Sequence, residues 1–244
     1  MSKVKILIAA AVALVVLVVG GTWVYINVIK DDAPEKLAFD TTTTTVAKPD
    51  DTAATDDTTA TTAMPGAAPT DGVDGSWTVT DGSSVGYRVK EVLFGQDTEG
   101  VGRTDQVTGS LTIEGTAVPQ AEFEVDMASI ESDESMRDNQ FRGRIMDTEQ
   151  FPAATFTLTS PIDLGAVPTD GAEVSVTATG DLTLRGVTKS VELPLTAKLS
   201  GDTFQVLGEY TIVYDDWEIP NPSGGPASVG DDGLLELLVI FAKG

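Results

Sequence analysis

Neither cysteine nor histidine occurs anywhere in these 244 residues. That double absence removes thiol nucleophiles, Ser-His-Asp triads and Cys/His zinc sites together. An enzyme built on this chain would have to work with carboxylates, Tyr, Lys or Ser alone. A disulfide framework and a Cys-anchored lipoprotein are excluded as well. Basic side chains are scarce too: 15 Lys and Arg stand against 38 Asp and Glu, for a formal charge of −23. Residues 1–74 hold 5 against 10 and contribute −5, while residues 75–244 hold 10 against 28 and contribute −18. So acidic a domain repels nucleic acid and anionic lipid headgroups over a Debye length, which sets nucleic acid aside as a partner.

What the chain does have, at its start, is one long apolar run. Residues 6–29, ILIAAAVALVVLVVGGTWVYINVI, form 24 positions without a charge. At 1.5 Å per residue this crosses a hydrocarbon core of about 30 Å. Lys3 and Lys5 precede the run, and Asp31, Asp32 and Glu35 follow it. The positive-inside rule therefore predicts a short cytoplasmic N-terminus at residues 1–5 and an extracytoplasmic position for everything after Lys30. A cleaved signal peptide has a shorter apolar region, about 7–15 residues, and ends at a small-x-small site. This run ends in WVYINVIKDD, so a retained single-pass anchor in the cell membrane is the expectation. Residues 30–74 are mostly Thr, Ala, Asp and Pro, with TTTTT at residues 41–45. Such a stretch buries too little apolar area to offset its ordering entropy, and it reads as a disordered tether.

From Gly75 the pattern has period two. In EVSVTATGDLTL, residues 173–184, Val174, Val176, Ala178, Leu182 and Leu184 share one face, against Glu173, Ser175, Thr177 and Asp181. After Arg185-Gly186 the alternation resumes through Val187, Val191, Leu193, Leu195, Ala197 and Leu199, which predicts an antiparallel hairpin. Similar runs near residues 77–80, 85–90, 107–114, 121–127, 154–159, 204–214 and 234–242 bring the count to about eight or nine strands. Only residues 129–151 interrupt them with helical spacing. There Phe141 and Ile145 stand four apart, Asp133 and Arg137 likewise, and Ser135 with Asp138 reads as a capping box. Periodicity alone leaves a barrel and a two-sheet sandwich both open, and strands of this length suit the barrel better.

Two blocks are more specific. RDNQFRGRIMDTEQFPAATFTLTSP at residues 137–161, preceded by SIESDES, and GDLTLRGVTKSVELPL at residues 180–195 together resemble the YceI-like family. The resemblance covers about residues 76–244. It implies an all-β fold: a long antiparallel, lipocalin-like β-barrel of about eight strands with a short helix and loop insertion, here preceded by one N-terminal transmembrane helix. It also implies an apolar tunnel that binds a polyisoprenoid chain. On this resemblance residues 132–152 close one side of the cavity, with Phe141, Ile145, Met146 and Phe151 turned inward and Arg137, Asp138 and Arg142 holding the loop. Two stretches depart from the family pattern: Ser83 lies where a His is common, and YDDWEIPNPSGGPASVGDDG replaces the usual segment before the last strand.

The inward parity of the strands gives further candidate lining residues: Tyr87, Phe123, Val125, Met127, Phe156, Leu158, Val176, Leu182, Val191, Leu193, Phe204 and Tyr210. The leading expectation is a non-enzymatic binding module with no cofactor beyond a bound isoprenoid lipid, such as a quinone or polyprenyl carrier. Each buried CH₂ stabilises such a complex by about 0.8 kcal/mol, so shape and dryness suffice. A carboxylate enzyme would draw on Asp215, Asp216 and Glu218, with residues 216 and 218 on one strand face. A packed, ligand-free interaction module is the third option, and the volume of the interior separates it from the first. The sequence leaves open whether the chain is a monomer or a homodimer.

Overall fold

The computed structural model describes residues 33–39, 72–225 and 227–244. The apolar run at residues 6–29, the N-terminus before it and residues 40–71 lie outside the described residues. No helix among the described residues is long and apolar enough to cross a membrane. Within the stretch read as a tether, residues 33–39 are described, and they lie across the outer wall of the folded domain.

Among the described residues, thirteen strands make one antiparallel sheet. In chain order they are β1 (Gly75–Val79), β2 (Ser84–Leu93), β3 (Gln96–Thr104), β4 (Val107–Glu114), β5 (Ala117–Asp126), β6 (Glu131–Ser132), β7 (Ala153–Leu158) and β8 (Ile162–Asp163). After them come β9 (Glu173–Leu184), β10 (Val187–Ser200), β11 (Thr203–Val213), β12 (Ala227–Val229) and β13 (Asp232–Lys243). β13 pairs with β11 on one side and with both β1 and β2 on the other, which closes the sheet. β1 and β2 act as one bent stave, as do β3 and β4, so the wall has eight staves: a closed antiparallel barrel.

At the bend between β1 and β2 the ladder breaks, and Ser83 repairs it. Its hydroxyl donates to the Thr80 carbonyl at 2.8 Å and accepts from the Ile240 amide at 2.9 Å. Ser83 thereby satisfies a backbone group that the bend would otherwise bury unpaired. The β9–β10 hairpin turns on Arg185 (φ 48°) and Gly186 (φ 77°) as expected. Two successive positive φ values are those of the two-residue turn whose twist matches antiparallel strands.

The helical insertion consists of α1 (Ser135–Gln140) continued by a π-helical turn (Phe141–Ile145). The expected capping box does not form, because Glu134 is the N-cap and Ser135 is already helical. Asp138 is instead buried and accepts from the Ser132 amide at 2.9 Å and the Ser132 hydroxyl at 2.6 Å, tying α1 to β6. This matters for closure. Towards the end at which β2 meets β3, the far side of β3 pairs only with the two residues of β6. α1 lies along this stretch of β3, with the Arg137 guanidinium packed over Gly100.

The opposite end is packed solid by Trp77, Ile113, Phe204 and Phe241, with the Trp77 and Phe204 rings 6.1 Å apart. The barrel is therefore a cup with a floor and a mouth. On its outer wall Glu236, 1% exposed, accepts from Arg88 Nε at 2.6 Å and from Arg103 Nη2 at 2.9 Å. Arg88 also donates to Glu99 at 2.7 Å. Burial pulls the Arg88 pKa down, but its bonds to Glu236 and Glu99 outweigh that and hold it raised.

Candidate functional site

Above the floor lies a cavity of about 470 Å³ that opens at the mouth. This is within the range of about 300–1,000 Å³ typical of small-molecule sites. The alternation of the strands builds its wall: β2 contributes Val85, Tyr87, Val89 and Leu93, and β13 contributes Leu235, Leu237 and Val239. Aromatic pairs brace it. Tyr87 stacks on Phe141 with centroids 5.1 Å apart, and Phe123 stacks on Phe156 at 5.9 Å.

Ten of the side chains expected to line a cavity do so: Tyr87, Phe123, Val125, Met127, Phe141, Ile145, Met146, Phe156, Leu182 and Leu193. The other six lie elsewhere. Phe204 belongs to the floor beside Trp77, and Val191 is buried in the core. Leu158, Val176 and Tyr210 are half-buried and pack against that core. Phe151 turns away from the cavity, with the Arg185 guanidinium 5.7 Å above its ring. Gly186 is required beneath it, because a Cβ there would meet the Phe151 ring at 2.5 Å.

The lining that was not foreseen comes from the C-terminal departure segment and from β13. Tyr214, Ile219, Pro222, Ala227 and Val229 border the mouth. Alternation could not single out the odd-numbered face of β13, because Leu234, Leu238 and Ile240 on the even face are as apolar as Leu235, Leu237 and Val239. The 220–229 loop carried no signal. Of the carboxylates Asp215, Asp216 and Glu218, residues 216 and 218 do not share a strand face as expected. Tyr214–Trp217 form a 3₁₀ turn, and all three carboxylates are exposed outside the cavity. Asp216 pairs with Lys189 at 3.0 Å. A catalytic pair is therefore not assembled there.

Few polar groups reach the cavity. At the rim Arg137 Nη2 meets Glu91 Oε1 at 3.1 Å, and Arg137 also pairs with Asp133. Burial lowers the Arg137 pKa, yet the facing Glu91 and Asp133 carboxylates more than compensate and leave it raised. Burial raises the Tyr87 phenol well above its usual range, with Arg137 opposing. Burial, aided by Asp232, pushes Tyr214 up to about 12. Through neutral pH both phenols stay neutral and Arg137 stays charged. The Tyr214 hydroxyl is buried without a hydrogen-bond partner, among the lining residues Val89 and Gly233.

An apolar cup of this topology agrees with the comparison to known families. The YceI-like domain model matches residues 77–241. The chain belongs to the YceI-like family. Protein YceI of Escherichia coli O157:H7 is 38% identical over 86 residues, which are 35% of this chain and 40% of that protein. A UPF0312 protein of Shewanella denitrificans is 33% identical over 96 residues, 38% of this chain and 47% of that one. The chain thus spans less than half the length of these curated relatives. Among solved structures, a polyisoprenoid-binding domain from Saccharophagus degradans implicated in plant cell wall breakdown superposes with a TM-score of 0.57 at 17% identity. The superposition covers 70% of this chain and 99% of that one, and it shows a shared fold.

Proposed function

We propose that this chain is a membrane-anchored, extracytoplasmic YceI-like protein that holds a polyisoprenoid-type chain, of a quinone or polyprenyl carrier, in its barrel. The observation that carries the reading is the cavity itself: about 470 Å³, apolar on nearly every side and open only at one end. A ligand-free interaction module would have its interior filled. Affinity needs no charged contact, since burial of each CH₂ contributes about 0.8 kcal/mol. The binding described for the Saccharophagus degradans domain supports the same ligand class. Anchoring rests on the apolar run at residues 6–29, and the outward orientation rests on the lysines before it.

The test is uptake of an added long-chain quinone by the full chain in nanodiscs of straight-chain lipid. Leu195→Trp and Leu237→Trp place bulk on half-buried lining positions, at a cost of about 1–3 kcal/mol from overpacking. Both variants are expected to keep their far-ultraviolet circular dichroism and lose uptake. Undiminished uptake by folded variants would mean that the quinone binds outside the barrel.

A further inference from the structure

Resting on the anchored, lipid-holding reading, we infer that the mouth of the barrel is an interaction surface for the lipid bilayer and is held against it by residues 33–39. Three independent features of the molecule converge on this.

The first is the rim. Five large apolar side chains stand exposed among the described residues, and four of them, Val92, Phe94, Met136 and Val213, are at the mouth end. Phe94 is 56% exposed and Met136 71%, and both border the opening. Solvent-facing apolar groups that ring a ligand mouth mark a surface meant for an apolar partner.

The second is backbone strain at the rim. Phe94 and Gly95 form the β2–β3 turn with φ of 51° and 82°. The first position of such a turn ordinarily holds Asn, Asp or Gly, because a bulky L-residue is disfavoured at positive φ. The chain spends backbone energy to keep at the tip a phenylalanine that stays more than half exposed.

The third is the strap. Arg88 donates to the Pro34 carbonyl at 2.7 Å and Arg103 to the Glu35 carbonyl at 2.6 Å, both from the charge cluster around Glu236. Lys36 pairs with Glu209 at 2.9 Å, and Lys198 lies 5.5 Å from the Phe39 ring. The strand registers give the strap a direction. Pro34 sits at the level of Arg88. Phe39 sits against Lys198, whose partner Gln205 pairs with Ile240 near the floor. The strap therefore descends from mouth towards floor, and its N-terminal end points to the mouth.

These anchor points redefine what spaces the barrel from the membrane. Only residues 30–32 separate the apolar run from Ala33, four Cα steps or at most about 14 Å. Residues 40–71 join two places on the same barrel, the strap at Phe39 and the start of β1, so they add nothing to the standoff. Phe94 lies six residues along β2 from Arg88, roughly 20 Å at the usual rise. A rim seated about 5–10 Å into the headgroup region brings the two lengths into agreement. A lipid chain then passes between bilayer and cavity without crossing water.

The chain contains no cysteine, so a single introduced thiol is unique. Full chains carrying Asp97→Cys beside the Phe94 turn, or Asp202→Cys in the β10–β11 turn by the floor, are labelled with an environment-sensitive fluorophore. They are then reconstituted in phosphatidylcholine vesicles with brominated acyl chains. The inference predicts quenching at position 97 and none at 202. It also predicts loss of quenching when Phe94→Ser and Met136→Ser are combined, or when twenty Gly/Ser residues are inserted between Asp32 and Ala33, a change that leaves barrel and strap untouched. Equal quenching at both positions, no quenching at either, or full quenching in the inserted chain would each overturn it. Bound lipid is extracted from the same samples: a chain that holds its lipid yet is not quenched refutes this inference alone, whereas a quenched chain with no lipid supports it and refutes the cavity reading.

Discussion

Among the described residues, Tyr214 is the one lining side chain whose polar atom has been desolvated without compensation. A buried, unpaired hydroxyl costs about 1–3 kcal/mol, so Tyr214→Phe is expected to leave stability unchanged or raise it by about 1 kcal/mol in urea denaturation. The same phenol sets an alkaline limit. Its folded pKa is pushed to about 12, above the unfolded value of about 10. The unfolded chain therefore loses its proton first, and the stability present below about pH 10 is lost as pH rises towards 12. Tyr87, raised by burial as well, acts in the same direction. Urea midpoints should fall between about pH 9 and 11, and less steeply in Tyr214→Phe; an identical slope in the variant would assign the loss to other groups. Gly102 makes a second point at this scale. A Cβ there would lie 2.5 Å from the Tyr87 ring, which is itself held by its stack on Phe141. Gly102→Ala is expected to cost about 1–3 kcal/mol, and Tyr87→Leu in the same chain to recover most of it.

Among the elements, legibility in the sequence followed how much of the pattern was set by water on one face. β9 and β10 were readable to the residue, because Val174 through Leu184 and Val187 through Leu199 alternate against Thr, Ser and Glu, and the turn between them needs positive φ at both residues. β3, with the sequence QDTEGVGRT, carried no such signal. Its inward positions Gly100 and Gly102 are emptied so that Arg137 and Tyr87, reaching in from neighbouring elements, can occupy the space. A strand whose side is filled by others is invisible to periodicity. α1 was half legible: its apolar spacing was plain, but Asp138 caps β6 through Ser132, a tertiary partner that no local motif announces. The outer charge cluster was not legible either, since Arg88 and Glu236 are 148 positions apart. Removing one partner of a buried ion pair typically costs about 3–5 kcal/mol. Arg88→Met is expected to lose on that order in urea denaturation while Lys36→Ala, an exposed side chain midway along the strap, loses under about 1 kcal/mol. Equal losses would show that the strap rather than the buried pair carries the energy.

For the whole molecule, the distribution of polarity is the organising fact. An acidic, water-facing wall encloses a cup whose floor is sealed by Trp77, Phe204 and Phe241 and whose upper half is left empty. Empty apolar volume forfeits dispersion contacts that a filled core would make. The proposed lipid chain would restore those contacts by filling the space. The most direct measurement is mass spectrometry of the organic extract from the full chain, purified in mild detergent from cells that make polyprenyl lipids. The account predicts one polyprenyl or quinone-type species per chain, absent from the Leu237→Trp variant prepared in parallel. A folded protein that yields only bulk phospholipid, with the variant and the native chain indistinguishable, would contradict it.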